Sequence, residues 1–179
     1  MMSVKIGIAP DSWGVWFPDH PKQPAWERCL DEMQKAGYAG VETGPWGYFP
    51  NRPAVLKKEL SARHLDLVAT TAGTNFLDDA SVDALAETLP EMMALMSHFP
   101  TAKYVVLLPA MYTDLETGEL VMEPELSDGE WRRYVKNVQR LADLITGAGY
   151  TACFHPHVDC HVQTEAQIER HPGQCTALF

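Results

Sequence analysis

Basic residues are scarce in this 179-residue chain: 14 Lys and Arg stand against 24 Asp and Glu, a formal net charge of −10. Nucleic-acid surfaces and anionic membranes call for clustered Lys and Arg, so neither is an expected partner. Long apolar runs are missing as well, and nothing approaches the roughly 20 residues of a membrane span. The apolar part of Met1 to Ile8 is too short for a signal peptide and runs directly into a strand. Cysteine is limited to Cys29, Cys153, Cys160 and Cys175, without CxxC spacing or the density of a small secreted domain. Free, buried thiols in a cytoplasmic protein are the expectation. After the first apolar run, where a doubly wound fold would carry a GxGxxG turn, the residues are PDSWG.

What is present is an alternation. The content of 46% hydrophobic and 21% charged residues suits a globular protein of one domain. Val4 to Ala9 is an apolar run bounded by Pro10, read as a strand covered on both faces. Trp26, Cys29, Leu30, Met33 and Gly37 then mark one face of a helix. Tyr38 to Glu42 is a second strand, followed by the polar-aromatic turn TGPWGYFP and a helix with Leu56 and Leu60 facing inward. Leu65 to Thr70 is a third strand. The next helix is expected to be capped by Ser81 and kinked or split at Pro90. Lys103 to Leu108 is the fourth strand. A long acidic loop, Ala110 to Leu126, reads as a solvated lid. Ser127 and Glu130 form a capping box on a helix whose stripe is Trp131, Tyr134, Val135, Val138, Leu141, Ala142 and Ile145.

Tyr150 to Glu169 is the stretch to which this scaffold leads. Period-two alternation points Cys153, His155 and His157 the same way, and Pro156, lacking an N–H, ends the ladder with the imidazoles at the strand's C-terminal mouth. Thr164 and Gln167 fit a second capping box. Histidines where a strand feeds a helix stand where α/β proteins place their chemistry, and Asp159 and His161 close behind strengthen that reading. Imidazoles suit divalent transition metals. Glu42, a carboxylate at an apolar strand end, suits a general base with a raised pKa. Trp13 and Trp46 sit in the two early turns, where stacking on a sugar face and plain loop packing are equally open.

GIAPDSWG, AGYAGVETG and FHPHVDCHVQT together resemble the xylose-isomerase-like TIM-barrel superfamily, most of all its sugar phosphate isomerase/epimerase and inosose dehydratase branch. The resemblance implies α/β architecture of parallel (β/α) repeats. About five of the eight units of a barrel fall within residues 1–170, with an irregular tail over 171–179 and a reading frame that stops short of the family's last three strands. It implies proton abstraction next to a carbonyl or hydroxyl of a sugar or cyclitol, assisted by a divalent metal (Mn, Co, Zn or Mg). It puts Glu42, His155 and His157 in catalytic positions, Asp11, Trp13 and Trp46 along the substrate, and the metal on His155. The family's other metal ligands come from strands six to eight, so little metal-dependent turnover is expected of this chain alone. An inert fragment that binds a sugar-like ligand or a partner chain is the alternative, with self-association through open sheet edges.

Overall fold

Each apolar run of the sequence becomes a strand, and the strands line up in chain order. In this computed structural model, which describes residues 5–170, β1 is Gly7–Ile8, β2 Gly40–Glu42, β3 Asp66–Thr74, β4 Tyr104–Pro109 and β5 Thr151–Phe154. They form a parallel five-stranded sheet in the order β1-β2-β3-β4-β5. Between them lie α1 (Trp26–Lys35), α2 (Pro53–Ala62), α3 (Asp79–Met96) and α4 (Asp128–Gly147), and α5 (Glu165–Arg170) follows β5. Alternation of strand and helix with parallel neighbours is the (β/α) repeat of a partial TIM barrel. The tail at 171–179 and Cys175 lie outside the described residues.

The chain divides into two compact units. The first comprises Met1–Thr71 and Pro90–Tyr104. Its core takes Cys29, Leu30 and Met33 from α1, Leu56 and Leu60 from α2, and Met92 and Met96 from α3, all at the inward positions of their helical patterns. The strand expected over Val4 to Ala9 is shorter and more open than its composition suggests: Gly7 is exposed, Ile8 half-buried and Ile6 64% exposed. β1 ends the strand order, and β2 is its one strand neighbour among the described residues.

The second unit comprises Ala72–Leu89 and Val105–Phe179. All seven stripe residues of α4 are buried, and the Ser127–Glu130 capping box is formed in both directions. Asn137, which no apolar pattern marks, is buried with them and donates to the Phe76 carbonyl (3.0 Å) and to Asp79 (2.8 Å). The second capping box is also made, Thr164 N–H donating to Gln167 Oε1 and Gln167 N–H to Thr164 Oγ1.

Three local expectations are corrected. β3 continues to Thr74 rather than ending at Thr70, because β-branched threonines with satisfied hydroxyls sustain a buried strand. Ser81 does not cap α3; Asp78 does, its carboxylate accepting from the Ser81 N–H (3.0 Å). Helix α3 is not split at Pro90 but runs as one element from Asp79 to Met96, with Leu89 and Met92 buried near the proline. The acidic loop, too, is partly ordered into a hairpin: Thr113 pairs with Leu120 in an antiparallel bridge around a turn whose N–H groups at Glu116 and Thr117 bond to Asp114.

Candidate functional site

Glu42 is the last residue of β2 and pairs with Ala69 across a register shift in the β2–β3 ladder. Its carboxylate accepts a hydrogen bond from the Thr71 hydroxyl. Burial holds its pKa above the ordinary carboxylate range; the Thr71 hydrogen bond opposes that shift, and the nearby Asp11 charge adds to it. Asp11 stands in the 3-10 turn Pro10–Trp13 that follows β1. Gly44, two residues beyond Glu42, makes their approach possible. It has φ +64°, and a Cβ there would overlap the Pro10 ring and come within 3.6 Å of Asp11 Oδ1. Three buried threonines, Thr43, Thr70 and Thr71, are hydrogen-bonded around the Glu42 side chain: Thr71 to the carboxylate, and Thr43 to both Thr70 and Thr71. Sequence reasoning missed them, although a run of β-branched residues continuing an apolar strand past its apparent end was the available signal.

The tryptophans differ in their surroundings. Trp13 is half-buried, and its indole N–H donates to Glu32 of α1 (2.7 Å). That contact, after the Arg28 pair, holds the Glu32 carboxyl low. Trp46 is half-buried in the loop that follows β2.

In the second unit, His155 is the first residue beyond β5, and its N–H still donates to the Leu107 carbonyl (3.0 Å), extending the β4 ladder by one bond. The His155 and His157 rings lie side by side, their centroids 5.7 Å apart and their planes at 31°. His155 keeps contact with solvent, but partial burial of its ring and then the neighbouring His157 lower its pKa, favouring neutral imidazole. The His157 Nδ1–H donates to the Val158 carbonyl (2.7 Å).

Asp159 and His161 do not back up that pair. Asp159, at φ +59°, accepts the Tyr112 N–H on its carbonyl (2.7 Å) and the Thr113 hydroxyl on its carboxylate (3.2 Å). His161 is 2% exposed, lies edge-on to Tyr112 and Tyr134, and donates from Nε2 to the Glu123 carbonyl (3.0 Å). Both therefore fasten the hairpin loop to the turn after β5. Among the described residues no group of three or more His, Cys, Asp or Glu is arranged to hold a metal ion. Two imidazoles fall short of the three or four protein ligands that such a centre uses. Burial pushes the Cys29 thiol to about 11 and the Cys160 thiol to about 12, so neither is a ready nucleophile.

No family profile matches the chain. Over 172 residues it is 33% identical to an inosose dehydratase of Serratia proteamaculans (strain 568), a match covering 94% of this chain and 56% of that protein. A xylose isomerase domain protein from Alicyclobacillus acidocaldarius superposes with a TM-score of 0.66 at 15% identity, over 97% of this chain and 60% of that one. A D-psicose 3-epimerase superposes with a TM-score of 0.65 at 15% identity, over 97% and 61%. The chain spans a little over half the length of the relatives it matches. No helix among the described residues is long and apolar enough to cross a membrane.

Proposed function

We propose that this chain, related to the inosose dehydratase-like branch of the xylose isomerase-like TIM-barrel superfamily, handles a sugar or cyclitol by acid–base chemistry with Glu42 as the proton acceptor. The observation that carries the reading is the Glu42 carboxyl itself: half-buried, raised in pKa, and held by the Thr71 hydroxyl at the C-terminal end of a parallel strand. Such a group accepts a proton from carbon more readily than an ordinary carboxylate does. Next to a carbonyl, the C–H electron pair left behind delocalises onto the carbonyl oxygen as an enolate. In an epimerisation the carbon takes a proton back on its other face. In a dehydration the pair forms a C=C bond and expels the β-hydroxyl, which leaves as water once protonated. Neutral imidazole at His155 can itself give or take a proton by exchanging tautomers, and His155→Ala tests whether it takes part. Asp11, Trp13 and Trp46 are proposed to line the substrate.

A divalent ion would polarise the carbonyl in such a reaction. His155 and His157 supply part of a ligand set for one, and the described residues do not complete it. That shortfall favours a second reading, a chain that binds a sugar-like ligand without turnover. Calorimetry with Mn, Co, Zn and Mg, then with an inosose and keto-sugars, separates the two when coupled to turnover assays of wild type, Glu42→Gln and His155→Ala. The acid–base reading expects ligand binding and a loss of about 10²–10⁴ in any turnover on Glu42→Gln. Turnover untouched by Glu42→Gln overturns it. Binding with no turnover in any form establishes the second reading.

A further inference from the structure

β2 stops at Glu42 while β3 runs on to Thr74, so the β3 backbone beyond Ala69 needs other partners. The last ladder bond here is Thr43 N–H to the Ala69 carbonyl (3.2 Å). Past it, a side chain replaces the missing strand: Thr43 Oγ1 accepts the Thr71 N–H (3.3 Å). The Thr43 hydroxyl proton has its own acceptor, the Gly44 carbonyl (3.1 Å), so the contact between Thr43 and Thr70 hydroxyls (2.9 Å) is a donation from Thr70. This assignment uses every proton once. It leaves the Thr71 hydroxyl with one proton and one recipient, the Glu42 carboxylate. Thr43, Thr70 and Thr71 are 3%, 0% and 4% exposed, so water does not compete for these bonds.

We propose that Thr71 is a positioning residue for Glu42: anchored through its backbone by Thr43, it aims a single hydroxyl at the carboxylate and fixes the direction in which Glu42 presents its free oxygen. Among the described residues, the charge that acts on Glu42 is that of Asp11, a like charge that cannot hold it. The hydroxyl also suits both ends of a proton transfer, because it can donate to the carboxylate and accept from the carboxylic acid. This rests on the reading of Glu42 as the proton acceptor and deepens it by naming what orients that group.

The test is a carbon-13 NMR titration of the Glu42 carboxyl in the full chain, its resonance assigned with Glu42→Gln. Thr71→Val, equal in shape but without a donor, is expected to move the Glu42 midpoint upward. Thr71→Ser, which keeps the hydroxyl, leaves it at the wild-type position, and so does Thr70→Val. In the wild type above the midpoint, the Thr71 hydroxyl proton is expected as a slowly exchanging resonance. That measurement decides the matter even where Thr71→Val fails to fold. An unmoved midpoint in Thr71→Val, a Thr71→Ser shift as large as that of Thr71→Val, or a fast-exchanging hydroxyl overturns the proposal. If the midpoint moves as expected but Glu42→Gln leaves turnover intact, the orienting role stands and the catalytic reading of Glu42 falls.

Discussion

At the scale of single residues, the molecule separates groups that look alike in the sequence. His155 and His161 both lose affinity for protons through burial, yet one is reached by solvent beside a second imidazole and the other is locked between tyrosines. For His161, burial outweighs the opposing Glu123 carbonyl and Glu130 charge, so the folded state binds its proton below the ordinary 6.5. Between those two values the unfolded chain holds more protons, and stability therefore falls as pH drops below about 6.5. Melting temperatures measured from pH 8 to 5 are expected to decline less in His161→Gln, whose amide can still donate to Glu123. Equal slopes would show that His161 is not responsible. Glycines separate in the same way. Gly44 and Gly14 both have positive φ, but a Cβ at Gly14 meets open space whereas one at Gly44 overlaps Pro10. Gly14→Ala is expected to cost about 1–2 kcal/mol from backbone strain alone. Gly44→Ala adds overpacking of about 1–3 kcal/mol. Urea denaturation of the two variants checks the difference, and equal losses would remove the close approach as the reason for glycine at 44.

Within the secondary-structure elements, tertiary burial overrides local preference in α3. Pro90 lies in the helix interior, where its ring displaces the carbonyl one turn back and removes a hydrogen bond. The residue is exposed, while Leu89 and Met92 beside it are buried and keep the helix continuous. Pro90→Ala is accordingly expected to stabilise the chain by up to about 3 kcal/mol, read from the urea midpoint. A loss of stability would mean that the packing of Leu89 and Met92 depends on the bend the ring imposes. The caps show the opposite balance. Ser127–Glu130 and Thr164–Gln167 form where their spacing marks them, because a capping box closes over three residues and needs nothing from the rest of the chain. Asp78 takes the role expected of Ser81 by the same local geometry, begun one turn earlier.

At the scale of the sheet, the parallel order β1 to β5 gives β1 and β5 one strand neighbour each among the described residues, whereas a closed barrel has no edge. The β1 side is apolar: Ile6 is 64% exposed beside the Lys5–Asp66 ion pair. We propose that this edge drives self-association, since unpaired N–H and C=O groups in an apolar setting invite another strand. Sedimentation over a concentration series is expected to show growing assemblies in the wild type and smaller ones in Ile6→Lys. A monomer at every concentration would end the idea.

What the sequence determined by itself is whatever rests on neighbours a few residues apart. The alternation of strands and helices, the α4 stripe and both capping boxes follow from periods and spacings, and so does the place of Glu42 and His155 at strand ends. The length of β3 and the openness of β1 did not, because each depends on what lies across the sheet. The surroundings that give each polar residue its role were equally out of reach. Thr71 reaches Glu42 across 29 positions of sequence, His161 reaches Glu123 across 38, and Asp159 receives Thr113 across 46. A carboxylate's basicity and an imidazole's charge are set by burial and by those distant donors and acceptors, and only the folded chain brings them together.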